Sequence, residues 1–154
     1  MKSRHERILE SVEKGRYRKA IAELQRALSS KSKPSCHYLC LLALCHANLG
    51  HKRRAEDFAW QAVAHAPYSV FAYLGLAQVY AWSGKLPLAR LVIEVGLLLD
   101  PALSELHGVQ AEVEFKSGDL LAAAGAAERG LALKPTERKC QQFLTLALTR
   151  LEHN

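Results

Sequence analysis

Apolar residues in this chain recur at helical spacing, in paired segments separated by a glycine and closed by a proline. Tyr73, Leu76, Ala77 and Tyr80 fall at i, i+3, i+4 and i+7, and Ala89, Ile93 and Gly96 form a second stripe beyond Gly84. Gly84 stands where the first helix must stop. Pro87 falls in the first turn of the second, where a missing N–H costs nothing, and Pro101 prevents that helix from continuing. The predicted unit is a helical hairpin.

The unit repeats. Pro67, Pro101 and Pro135 are 34 residues apart, and Gly50, Gly84 and Gly118 keep the same step, as do Ala55, Ala89 and Ala123, and Ala43, Ala77 and Ala111. Independent residue classes sharing one period mark a repeat array. Residues 36–69, 70–103 and 104–137 are the regular units. Residues 1–34 form an earlier, degenerate one, with Gly15, Ala20, Leu24 and Ala27 in register but Arg4 and Arg7 at the expected apolar anchors. The stretch "SSKSKPS" (29–35) adds one residue to the period, which predicts a looser joint. Cys140, Phe143, Leu144, Ala147, Leu148 and Leu151 predict a final helix over 137–152 that covers the last repeat.

At these residues the chain resembles the tetratricopeptide repeat (TPR) family, whose 34-residue unit carries an aromatic, Leu, small, aromatic series followed by Ala, a bulky residue and Pro. Residues 70–103 match best, with Tyr73, Leu76, Ala77, Tyr80, Ala89, Ile93 and Pro101. The unit 36–69 has Leu39, Leu42, Ala43, His46, Ala55, Ala59 and Pro67, and the unit 104–137 has His107, Gln110, Ala111, Glu114, Ala123, Ala127 and Pro135. The resemblance implies one all-α domain over 1–154, a right-handed solenoid of about four hairpins plus a capping helix. It also implies a binding module whose concave groove is lined by the first helix of each hairpin.

Composition adds three constraints. A chain of 154 residues with 49% hydrophobic content can build one core. The N-terminus "MKSRHERILESVEKG" has charge where a secretory signal has its apolar stretch, and "LPLARLVIEVGLLL" (86–99) is too short and too charged to span a bilayer, so the chain is read as cytoplasmic. Cys36, Cys40, Cys45 and Cys140 sit inside helical patterns and are expected as free thiols.

Candidate chemistry is sparse. No nucleophile elbow, zinc-protease motif or strand-preceded phosphate loop occurs, and "GAAERG" (125–130) lies in a helix of small residues, where close packing is expected. In "CHYLCLLALCH" (36–46), Cys36 and Cys40 are one helical turn apart beside His37, but Cys45 lies roughly 180° from Cys36 around the helix. Neither an enzyme, a metal nor a cofactor is expected.

Three surfaces carry the expectations about binding. The helix "VFAYLGLAQVYAW" (70–82) has no charge, so Phe71, Leu74, Gln78 and Trp82 are expected to line an apolar groove with Leu41, Leu44, Val109 and Phe115. The competing expectation is that these side chains bury one another in a tightly curled array. TPR proteins that grip chaperone tails use Lys, Arg and Asn in this groove; His5, Leu9, Leu41, Phe71 and Gly75 stand at the matching places here, so that clamp is absent. An apolar groove in a short array is similar to the small chaperones of bacterial type III secretion, which implies a client protein held before export.

The second surface is on the helix 86–99, where Leu88, Leu91, Val92, Val95 and Leu99 lie opposite Ala89, Ile93 and Gly96 and predict an interface, a homodimer first and a small helical partner second. The third is basic. Residues 1–54 carry 13 Lys/Arg against 4 Asp/Glu, whereas the chain as a whole has a net charge of +6. Lys14, Arg16, Arg18 and Lys19 in the first hairpin turn and Lys52, Arg53 and Arg54 in the second form a basic edge suited to an acidic protein or, less readily, nucleic acid.

Overall fold

The structure is a computed structural model that describes residues 1–30 and 35–154. The joint expected within 29–35 therefore lies, at 31–34, outside the described residues. Those residues form helices only: α1 (Arg4–Glu13), α2 (Tyr17–Ser29), α3 (Cys36–Asn48), α4 (Lys52–His65), α5 (Val70–Trp82), α6 (Leu86–Leu99), α7 (Ser104–Lys116), α8 (Leu120–Leu133) and α9 (Arg138–Glu152).

Local chemistry sets the ends of these helices. Ser3 and Glu6 form a capping box at α1, with the Glu6 N–H donating to Ser3 Oγ at 3.1 Å and the Ser3 N–H to Glu6 Oε2 at 2.7 Å. Gly84 has φ +79°, a left-handed conformation that ends α5 without a side-chain clash, and Gly15, Gly50 and Gly118 repeat it. One residue beyond each glycine, a backbone N–H returns to the carbonyl five residues earlier: Arg16 to Ser11, His51 to His46, Lys85 to Tyr80 and Asp119 to Glu114, at 2.8–3.0 Å. The 34-residue period is thus a period of identical turns.

A second repeated tie was not visible in the residue types. The Tyr73 hydroxyl donates to the Pro67 carbonyl at 2.7 Å, His107 Nε2 lies 2.9 Å from the Pro101 carbonyl, and Gln141 Nε2 donates to the Pro135 carbonyl at 2.8 Å. Three unlike side chains at the same step of 34 perform the same task, anchoring each new helix to the proline turn before it.

Contacts divide the chain into two units, Met1–Val79 and Tyr80–Asn154. In the first, α1 packs on α2, α2 on α3 and α3 on α4. Ile8, Ala20, Leu24 and Ala27 of the degenerate repeat are buried with Leu42 and Cys45 of α3, so the repeat register holds even where Arg4 and Arg7 depart from it.

In the second unit α7 packs on α6 and α8, and α9 on both α7 and α8. Ala89, Ile93 and Gly96 of α6 are buried, as their spacing predicts. A Cβ on Gly96 would meet Leu106 Cδ1 at 2.7 Å, and one on Gly130 would meet Cys140 Sγ at 2.3 Å. The small residues of "GAAERG" are there for helix packing.

Candidate peptide-binding groove

Helices α3 and α5, each the first of its hairpin, line an apolar cavity of about 410 Å³ within the first unit. Leu41, Leu44, Phe71, Leu74 and Gln78 all face it, together with Cys36, His37, Cys40, Ser69 and Gly75. Of these ten, His37 is the one side chain that can become a cation, and burial and His5 disfavour that charge. Leu41 is buried and forms the floor, and Phe71, at 60% exposure, stands on the wall. A ring so exposed is not part of the packed core.

Gly75 sets how closely the two helices approach. A Cβ there would come within 3.1 Å of Cys40 Sγ, so even alanine would require the Cys40 side chain to shift by a few tenths of an ångström. The Cys40 thiol lies 3.8 Å from the Phe71 carbonyl and its pKa is raised to about 12 by burial and by the neighbouring Cys36. It is a neutral, apolar part of the wall at physiological pH. At the rim, the His37 ring lies 5.5 Å from that of His5, and burial and His5 together hold its pKa below the ordinary histidine value.

The remaining groove candidates lie in the second unit. Val109 is fully buried and lines no groove. At the adjacent position α9 packs closely on α7: a Cβ on Gly108 would meet Glu137 Oε2 at 2.9 Å and Lys139 Cβ at 3.2 Å, so the capping helix covers that face of α7. Phe115 is half-buried against Phe143, with ring centroids 5.5 Å apart, and the Arg150 guanidinium sits 5.0 Å over its ring. Trp82 is 40% exposed at the end of α5.

The same cover explains a buried carboxylate. Glu112 accepts from Lys139 Nζ at 2.7 Å and from Lys116 Nζ at 2.9 Å. Burial alone pushes its pKa up, but the two lysines together hold it below the usual carboxylate range. Outside the cap, Arg90 forks onto both oxygens of Glu114 at 2.9 and 3.1 Å.

Cys36, His37 and Cys40 also line this cavity, although they were not among the residues expected to do so. The repeat did carry the missing signal, because His37 and Cys40 stand 34 residues before Phe71 and Leu74 and share their phase. Among the described residues, no three His, Cys, Asp or Glu side chains converge to hold a metal ion, and no helix is long and apolar enough to cross a membrane.

The outer face of α6 is open. Leu88, Leu91, Val95 and Leu99 are exposed, Val92 is half-buried, and Leu98, absent from the sequence-based set, is more exposed than any of these at 86%. On the basic edge, Lys14, Arg16, Arg18, Lys19, Lys52, Arg53 and Arg54 are all exposed. Arg16, Arg18 and Lys19 share a cavity of about 340 Å³ with Gly15, Tyr17 and Leu49, which places the first turn beside the end of α3; Lys14 is paired with Glu10.

Helical hairpins stepped by 34 residues, closed by the same glycine turn, define the tetratricopeptide-repeat fold. Solved TPR structures agree. A thermophilic TPR protein of Thermus thermophilus, TTC0263, superposes with a TM-score of 0.85 at 22% identity over 94% of this chain and 79% of its own. The first TPR of Spaghetti (RPAP3), solved bound to an HSP90 peptide, SRMEEVD, gives 0.66 at 18% identity over 76% and 93%. YrrB, a TPR protein described as having an unusual peptide-binding site, gives 0.68 at 14% identity over 90% and 71%. No protein-family model matches the sequence, and no curated protein matches it.

Proposed function

We propose that this chain is a non-enzymatic interaction module that holds an apolar segment of a protein client between α3 and α5. The observation that carries the reading is the wall chemistry: Leu41, Leu44, Phe71 and Leu74 face one cavity, and among the described residues no Lys, Arg, Asp or Glu lines it. The TPR neighbours solved or described with peptides support a peptide as occupant. The peptide SRMEEVD bound by one of them carries three carboxylate side chains, whereas the described wall here is apolar, so the client segment is one anchored by Leu, Ile, Phe or Met side chains. A chaperone of the type III secretion kind, in the cytoplasm, is the specific role that a short array with an apolar groove fits best.

Panning a random peptide library on the immobilised chain tests the reading. The expected result is enrichment of apolar-anchored peptides that Phe71→Ser no longer retains. Recovery of acidic peptides without apolar anchors would overturn it and favour the alternative, an adaptor that binds an acidic protein or nucleic acid along the edge formed by Lys14, Arg16, Arg18, Lys19, Lys52, Arg53 and Arg54.

The outer face of α6 supports self-association. Leu88, Leu91, Val95 and Leu98 are spaced three, four and three residues apart, the a/d seam of two heptads. Such a seam is complementary to a second copy of itself, and the homodimer is the occupant proposed for it.

A further inference from the structure

The first repeat carries a feature that the groove does not use. Arg4 and Arg7 occupy the positions that Leu39 and Leu42 fill in the next repeat. Those leucines are 2% and 0% exposed, whereas both arginines are exposed. One turn apart on α1, the arginines face Glu23 and Arg26 of α2 across a cleft of about 230 Å³.

The donors of this cleft outnumber their acceptors. Arg7 Nη1 donates to the Lys2 carbonyl at 3.2 Å, Arg26 Nε to the Ala22 carbonyl at 3.3 Å, and Arg4 Nη1 reaches Ser30 Oγ at 3.5 Å. Each guanidinium has five N–H groups, so most of the donors remain. Among the described residues, no carboxylate forms an ion pair with any of the three, and Glu23 lines the same cleft without bridging to them. Among the described residues, three positive charges and one negative charge line the cleft, a net charge of +2.

That charge and that donor geometry select a ligand class. Guanidinium forks match tetrahedral and planar oxyanions, forming two parallel N–H···O bonds at a time. A single carboxylate neutralises half of the surplus, whereas a phosphate monoester carries about −1.5 to −2 at pH 7 and offers three acceptor oxygens. A nucleic-acid strand needs a continuous basic track. Arg4 and Arg26 stand at the open end of the hairpin, about 10–15 Å along the helices from the basic turn at Lys14 to Lys19, by the 1.5 Å rise per residue. We propose that Arg4, Arg7 and Arg26 form a binding site for one phosphoryl dianion, either free phosphate or a small phosphate monoester. The proposal is independent of the client groove.

Calorimetric titration of the full chain at pH 7 and constant ionic strength, with inorganic phosphate, O-phosphoserine and acetate as probes, tests it. Saturable binding of phosphate or O-phosphoserine is expected, with acetate at least about tenfold weaker, and the tighter of the first two identifies the source. Arg7→Gln and Arg26→Gln are each expected to weaken binding about tenfold, and Glu23→Gln to strengthen it severalfold by removing a like charge. Affinity is also expected to fall as pH drops through about 6, where the ester loses its second charge. All three substituted side chains lie at the surface or at its edge, and a thermal melt confirms that each variant folds. Absence of saturable binding, equal affinity for acetate, or unaltered phosphate binding in the Arg7→Gln/Arg26→Gln double variant would each overturn the proposal.

Discussion

His46 Nδ1 and His51 Nδ1 lie 3.1 Å apart, so one ring must donate and the other accept. His46 is buried, stacks on Phe58 at 5.3 Å between centroids, and has an Nε2 with no hydrogen-bond partner. Burial first, then the charges of His51 and Arg54, hold its pKa below the ordinary histidine value. A proton on this ring is therefore disfavoured in the folded state relative to the unfolded one. Stability from this source is complete above the unfolded pKa of about 6.5 and is lost as pH falls from there toward the folded value. His37, held down by burial and His5, acts in the same direction.

Melting temperature is accordingly expected to fall between pH 7 and pH 5, before carboxylates such as Glu112 begin to titrate. His46→Phe should flatten that slope while keeping the stack on Phe58. An unchanged slope in the variant would assign the effect elsewhere.

Phe71 provides the test of the groove. Because the ring is 60% exposed, Phe71→Ser is expected to change stability by no more than about 0.5 kcal/mol, the range typical of surface positions. Affinity for an apolar-anchored peptide should drop about tenfold, equivalent to about 1.4 kcal/mol. Melting curves and peptide titrations on the same variant check both halves. Unchanged stability with unchanged affinity would move the client off this wall.

Gly130 offers a packing prediction. Alanine is the better helix former by about 1 kcal/mol, yet its Cβ would stand 2.3 Å from Cys140 Sγ. Gly130→Ala is expected to destabilise by about 1–3 kcal/mol because overpacking outweighs propensity. Adding Cys140→Ala removes the obstructing sulfur, so the double variant should lose less than the sum of the two single losses. Additive denaturation free energies would mean that the clash is relieved by other means.

The α6 seam predicts oligomeric state. Leu91→Glu with Val95→Glu places two charges in the proposed two-fold contact and should yield a folded monomer by sedimentation, against a dimer for the unaltered chain. A monomeric unaltered chain would remove the homodimer from consideration.

Helix boundaries and repeat register were legible because their causes are local. Gly84 needs its left-handed φ and Pro101 needs its missing N–H whatever the rest of the molecule does, and Ala89, Ile93 and Gly96 share a face through helix geometry alone. The groove was legible in part for the same reason: Phe71, Leu74 and Gln78 share a face of α5, and the step of 34 aligns them with α3. Tertiary structure decided what covers each face. Val109 has the same phase as Gly75 and Leu41 yet is fully buried, and α9 packs on α7 because the last repeat must close against something. The approach of His46 to His51, the reach of His107 and Gln141 to the preceding proline carbonyls, and the meeting of Arg4 and Arg7 with Arg26 depend on how one helix lies on the next. Backbone dihedrals and i, i+4 contacts are written in neighbouring residues, whereas contacts between helices are fixed only by the packing of many side chains at once.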